Sequence, residues 1–102
     1  MLRHVVLFRV REGISDERIV AATQLLRALG DLPGVVTWQI ERSLDERTGR
    51  ILIEEATFVD RDAFDAFRAH PAHAEVASHL AAISDWWIAD YELASDLRKA
   101  PP

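Results

Sequence analysis

The sequence of 102 residues contains no cysteine, which excludes a disulfide, a thiol nucleophile and a thiolate metal ligand. It also lacks any cluster of lysine and arginine, and its net charge of −5 argues against nucleic acid or an anionic membrane surface as a partner. No apolar run approaches the length that spans a bilayer. The first residues are typical of a β-strand and too short for a signal sequence. These absences leave a soluble, cytoplasmic protein as the expectation.

Apolar residues make up 49% of the chain, which is enough for one hydrophobic core. A domain of this length buries only about two-thirds of its unfolded surface, so it often gains stability from a partner subunit. We predict one domain over residues 1–94 and a flexible C-terminal tail over residues 95–102, where hydrophobic periodicity is absent.

Four segments alternate between two faces, as β-strands do. The predicted strands are residues 2–10, 35–42, 50–58 and 85–92. In the second strand, Val36 and Trp38 are expected on the same face. The first strand is apolar on both faces, since Val6 and Phe8 alternate with Val5 and Leu7. Both sides of that strand are therefore expected to be covered.

Helix signals separate these strands. Ser15 is a good N-cap for a first helix that ends near Gly30, and Asp60 caps a second helix. Pro71 disfavours helical dihedrals at His70 but suits the first position of a helix. We therefore predict a break at His70 and a new helix over residues 71–83.

The resulting order, β-α-β-β-α-β, predicts an α+β, ferredoxin-like fold, in which a four-stranded antiparallel sheet carries its helices on one face. The other face needs a cover, because the first strand is apolar there too. A second copy of the same sheet is the simplest candidate, so we expect a homodimer formed through the sheet faces.

Three short segments resemble the stress-responsive A/B barrel (Dabb) family of the dimeric α+β barrel superfamily. They are His4-Val5-Val6-Leu7-Phe8, His70-Pro71-Ala72-His73 and Asp90-Tyr91. The resemblance covers roughly residues 2–92. It implies a ferredoxin-like subunit that pairs with a twin to close a dimeric α+β barrel.

Function follows less directly from this resemblance, because most members of the family have no established reaction. One plant branch is similar to cofactor-independent polyketide cyclases, in which a tyrosine and the second histidine of the His-Pro-x-His motif serve an aldol-type ring closure. Here Phe67 stands at the position of that tyrosine and cannot donate a hydrogen bond to a developing oxyanion. The cyclase reaction therefore lacks one of its donors in this sequence.

His73 is the strongest candidate for chemistry, since an imidazole titrates near neutrality and can accept a proton from a carbon acid. His4 is the second candidate catalytic residue, because the family resemblance implies that its strand face points toward the helices. A carboxylate at Glu54 could orient His73 and raise its pKa. The expected pocket consists of Val6, Phe8, Glu54, Phe67 and Val76 around these histidines.

Three hypotheses stay open at this point. The first is a homodimeric domain that binds a small aromatic or polyketide-like molecule without an assigned reaction. The second is a cofactor-independent cyclase or isomerase with His73 as general base. The third is a structural dimer module, in which the histidines are buried polar groups satisfied by their surroundings and His70 caps a helix. No cofactor or metal is expected, since His70 and His73 have no evident third ligand.

Overall fold

The computed structural model describes residues 1–94, so the predicted flexible tail lies outside the described residues. The elements are β1 (Leu2–Val10), α1 (Asp16–Ala28), a 3₁₀ turn (Leu29–Asp31), β2 (Val35–Arg42), β3 (Arg50–Phe58), α2 (Arg61–Ala69), α3 (Pro71–Ile83) and β4 (Ser84–Glu92). This confirms the predicted order of strands and helices. No helix within the described part of the chain is both long and apolar enough to cross a membrane.

The four strands form one antiparallel sheet in the order β2-β3-β1-β4. Residues that lie opposite one another in such a sheet project on the same face. Val6 therefore shares its face with Glu54 of β3 and Ile88 of β4. The core lies on this face, between the sheet and the helices. The fold is the predicted ferredoxin-like arrangement.

Side-chain caps fix where the helices begin. The hydroxyl of Ser15 accepts a hydrogen bond from the Arg18 amide at 3.2 Å. The carboxylate of Asp60 accepts one from the Ala63 amide at 2.8 Å. Each cap satisfies an amide that has no partner within the helix. Both predicted helix starts are confirmed.

The break before Pro71 is also confirmed. His70 has extended backbone angles, and its Nδ1 accepts a hydrogen bond from the Ala72 amide at 3.0 Å. Its side chain is therefore the N-cap of α3, and Pro71 occupies the first helical position. The proline thus divides one helical region into α2 and α3.

One predicted strand face is wrong in β2. The pairing of β2 with β3 shifts between Val35 and Thr37, so Val36 is an additional residue in a β-bulge. Val35 consequently packs against the core with Trp38, while Val36 is exposed. Strict alternation along the sequence cannot anticipate a bulge, because the extra residue reverses the faces on one side of it.

Within residues 1–94, no helix packs on the opposite face of the sheet, which we call the open face. Leu7 and Trp87 lie opposite each other on β1 and β4, and Trp87 is 58% exposed. Ile51 and Ile53 continue this face on β3 and are half-buried. The open face therefore carries an apolar patch at its centre.

Candidate functional site

A cavity of about 200 Å³ lies between the helices and the buried face of the sheet. Six of the seven residues predicted for the site contribute to its wall: His4, Val6, Phe8, Glu54, His73 and Val76. Leu26 of α1 and Leu80 of α3 complete its apolar lining. The cavity thus combines hydrocarbon walls with a few polar groups, the usual composition of a small-molecule site.

The predicted pocket position of Phe67 is wrong. Its ring is 2% exposed and packs against the rings of Phe58 and Trp38, with centroids 4.9 and 5.5 Å away. It contacts the ring of His73 edge-on at 5.1 Å. Phe67 is absorbed by this aromatic cluster because it lies on the buried face of α2. It supports His73 without reaching the cavity.

His4 is held by two carboxylates. Its Nε2 lies 3.0 Å from Glu54 Oε2, and its Nδ1 lies 2.6 Å from Asp90 Oδ1. A carboxylate only accepts hydrogen bonds, so both ring nitrogens must donate and the imidazole is protonated. Burial opposes this charge, but the hydrogen bonds to Glu54 and Asp90 outweigh it and raise the pKa of His4. The two carboxylates therefore favour the imidazolium form of His4.

The sheet register brings this ionic triad together. Asp90 lies directly opposite His4 in the pairing of β1 with β4. In the pairing of β1 with β3, Glu54 lies opposite Val6. It is therefore the diagonal neighbour of His4 on the same face of the sheet. Glu54 was expected to orient His73. Its carboxylate instead forms an ion pair with His4 across the sheet.

His73 has a different environment. It lies in the first turn of α3, half-buried against Phe67. Burial lowers the pKa of its imidazole, and together with the positive charges of His4 and Arg68 it outweighs the opposing charge of Glu54. Glu54 therefore acts on the pKa of His73 in the expected direction, but the net shift is downward. A neutral imidazole keeps a lone pair that can accept a proton inside the cavity.

Sequence reasoning missed three residues that shape this site. Asp90 was quoted only as part of the family resemblance, yet it holds His4. Trp86 and Ile88 contribute the wall on β4, where they share the helix-facing side of the strand with Asp90. The sequence places Trp86, Ile88 and Asp90 on one face of β4. Only the pairing of β1 with β4 shows that this face meets the cavity.

No group of three or more histidine and carboxylate side chains with a metal-binding arrangement occurs among residues 1–94. His70 points away from His73, since its Nδ1 is engaged by the Ala72 amide and its side chain is exposed. The two histidines of the motif therefore do not form the metal pair considered from their spacing.

Solved structures share this fold although their sequences have diverged. A dimeric ferredoxin-like protein of unknown function from Thermobifida fusca has a TM-score of 0.81 at 20% identity, covering 90% of both chains. A hydroxynitrile lyase from Passiflora edulis has a TM-score of 0.79 at 21% identity, covering 94% of this chain and 95% of the lyase. The cofactor-independent oxygenase SnoaB from Streptomyces nogalater has a TM-score of 0.75 at 22% identity, covering 96% and 97%.

Curated relatives cover most of the chain. An uncharacterised protein from Streptomyces coelicolor is 29% identical over 96 residues, which are 90% of this chain and 99% of the relative. The stress-response A/B barrel domain-containing protein HS1 from Arabidopsis thaliana is 28% identical over 99 residues, covering 89% and 88%. The profile of the stress-responsive A/B barrel domain matches residues 2–93. This match spans every strand and helix described above, and the chain therefore belongs to the stress-responsive A/B barrel (Dabb) family.

Proposed function

We propose that the protein binds a small, largely apolar molecule in the cavity between the helices and the sheet. The cavity carries this proposal, because its walls are mainly apolar and only four polar residues, His4, Glu54, Arg68 and His73, line it. An apolar cavity of about 150 Å³ is known to hold benzene. A cavity of about 200 Å³ therefore suits a single substituted ring or a short chain better than a fused, multi-ring polyketide.

Ligand binding is tested by thermal shift and calorimetry with phenol, benzyl alcohol and acetophenone. We expect stabilisation that the variant Ala77→Leu weakens about tenfold, because Ala77 lines the cavity and extra methyl groups fill it. Ala74→Leu is the matched control, since Ala74 lies on the exposed side of the same helix. Absence of binding by all three compounds would refute the proposal in favour of a structural dimer module.

A second candidate function is proton abstraction by His73, as in a cofactor-independent cyclase or isomerase. The contrast between a charged His4 and a neutral His73 favours it, since groups whose pKa values are driven apart can divide acid and base roles. Deuterium incorporation at the α-carbon of a bound single-ring ketone in D₂O measures this step. His73→Gln should slow a protein-dependent exchange by about two to four orders of magnitude. An unchanged rate would exclude His73 as the base.

The proposal includes a homodimer in which a second copy covers the open face of the sheet. The apolar pair Leu7 and Trp87 on that face supports it, as does the dimeric state of the related fold from Thermobifida fusca. Leu7→Asp should give monomer or aggregate, because a carboxylate buried without a partner costs several kcal/mol.

Light scattering at micromolar concentration tests the assembly. Val20→Asp is the control, because Val20 is an exposed residue of α1, away from the open sheet face. It should remain a dimer like the wild type. A monomeric wild-type protein would contradict the proposed assembly.

A further inference from the structure

Arg68 contributes to the wall of the cavity although it lies at the exposed end of α2. Its guanidinium carbon lies over the ring of Phe64, 5.5 Å from the ring centre. Among residues 1–94, no carboxylate forms an ion pair with it. Stacking on an aromatic face leaves the N–H donors at the edge of the guanidinium plane available. Arg68 therefore offers donors and positive charge at the cavity without a counter-ion from the described chain.

The other charged groups of the cavity do not share this situation. The charge of His4 is more than balanced by Glu54 and Asp90, with one carboxylate oxygen of each within hydrogen-bonding distance of the ring. His73 is neutral, since burial and nearby positive charge lower its pKa. The remaining lining is mainly hydrocarbon. The positive charge at the cavity that has no internal partner is thus that of Arg68.

We propose that the ligand of this cavity is a small organic carboxylate whose acid group pairs with Arg68. The inference rests on the proposed function, since it takes the cavity as the binding site, and it adds the charge class and the residue that selects it. The apolar body of the ligand lies between the walls formed by Val6, Leu80 and Ile88. The planar guanidinium can donate two parallel hydrogen bonds to a carboxylate, which gives both affinity and orientation.

Benzoate and benzamide test this charge selection, because they share one ring and nearly the same shape. We expect the wild-type protein to bind benzoate about tenfold more tightly at neutral pH and low salt, as a charge-assisted hydrogen bond is stronger than a neutral one. Arg68→Met should abolish this preference, because it weakens the binding of benzoate far more than that of benzamide. Arg68→Lys should retain part of it, because lysine keeps the charge but loses the paired donors.

Arg61→Met is the matched control, since Arg61 is an exposed arginine of the same helix that does not line the cavity. It should bind both probes like the wild type. Equal affinity of the wild type for benzoate and benzamide would overturn this inference and leave the proposed function standing.

A benzoate preference that persists in Arg68→Met would also overturn the inference, since Arg68 would then only complement the C-terminal dipole of α2. Binding of neither probe would overturn the inference. The neutral ligands proposed for the cavity then decide separately whether the proposed function survives.

Discussion

His4 and His73 reach one cavity from opposite sides, yet their surroundings shift their pKa values in opposite directions. His4 comes from the central strand, is 4% exposed and has a carboxylate on each ring nitrogen. His73 comes from a helix, is half-buried and has an aromatic ring as its neighbour. The same residue type is therefore a structural cation in one place and a free proton acceptor in the other. Burial lowers the pKa of both imidazoles; it prevails at His73, whereas two carboxylates overcome it at His4.

This contrast predicts that loss of the two side chains has unequal consequences for stability. His4→Ala leaves the carboxylate of Glu54, itself 4% exposed, without a partner, and such a loss costs about 3–5 kcal/mol. His73→Ala removes a half-buried ring and should cost about 1 kcal/mol. Urea unfolding of both variants measures the difference.

His79→Ala serves as the control for these two variants, because His79 is exposed on α3 and its loss should change stability by less than about 0.5 kcal/mol. The double variant His4→Leu/Glu54→Leu should recover much of the loss, since it removes both members of the buried pair. Equal costs for His4→Ala and His73→Ala would show that the triad does not stabilise the fold as described.

Ligand affinity should distinguish the two histidines of the His-Pro-x-His motif, His70 and His73. His73→Gln removes an imidazole from the cavity and should weaken the binding of phenol about tenfold, the free energy of one hydrogen bond. His70→Gln should leave affinity unchanged, because His70 caps α3 outside the cavity. Calorimetry on the two variants makes the comparison. Equal losses, or a larger loss at His70, would mean that the site lies on the other side of Pro71.

The pH dependence of stability should separate His4 and His73 by its direction. The pKa of His4 is raised by folding, so its contribution is present below about 6.5 and is lost as the pH rises through the folded pKa. The pKa of His73 is lowered, so its contribution is present above about 6.5 and is lost as the pH falls through the folded pKa.

Urea unfolding from about pH 5 to pH 9 measures both limbs of this dependence. His73→Gln should remove part of the loss on the acid side and keep the loss on the alkaline side. If His73→Gln instead removes the loss of stability at alkaline pH, the raised pKa belongs to His73 and not to His4.

Local signals in the sequence predicted most of the fold. The N-caps Ser15 and Asp60 and the break at Pro71 depend on neighbouring residues only, and the structure has all three. The alternation in β1 placed Val6 and Phe8 on one face, but both faces are apolar, and it was the family resemblance that implied which of them meets the helices. The bulge at Val36 could not be predicted from the sequence, because it depends on how β2 pairs with β3.

The polar part of the site was less predictable, since it depends on contacts across the sheet. Asp90 meets His4 only through the pairing of the first and last strands, 86 residues apart in sequence. Glu54 could approach either histidine, and its sequence position does not say which. The direction of Phe67 depends on the aromatic cluster that surrounds it. The cytoplasmic location and the flexible tail stay predictions.

The most direct test of the account is an NMR titration of the ring protons of His4 and His73 in the wild-type protein, with assignments from His4→Gln and His73→Gln. We predict that His4 titrates above the ordinary histidine value of about 6.5 and that His73 titrates below it. Near pH 6.5 His4 would then be mostly charged and His73 mostly neutral. Coincident midpoints, or a higher midpoint for His73, would contradict the central claim.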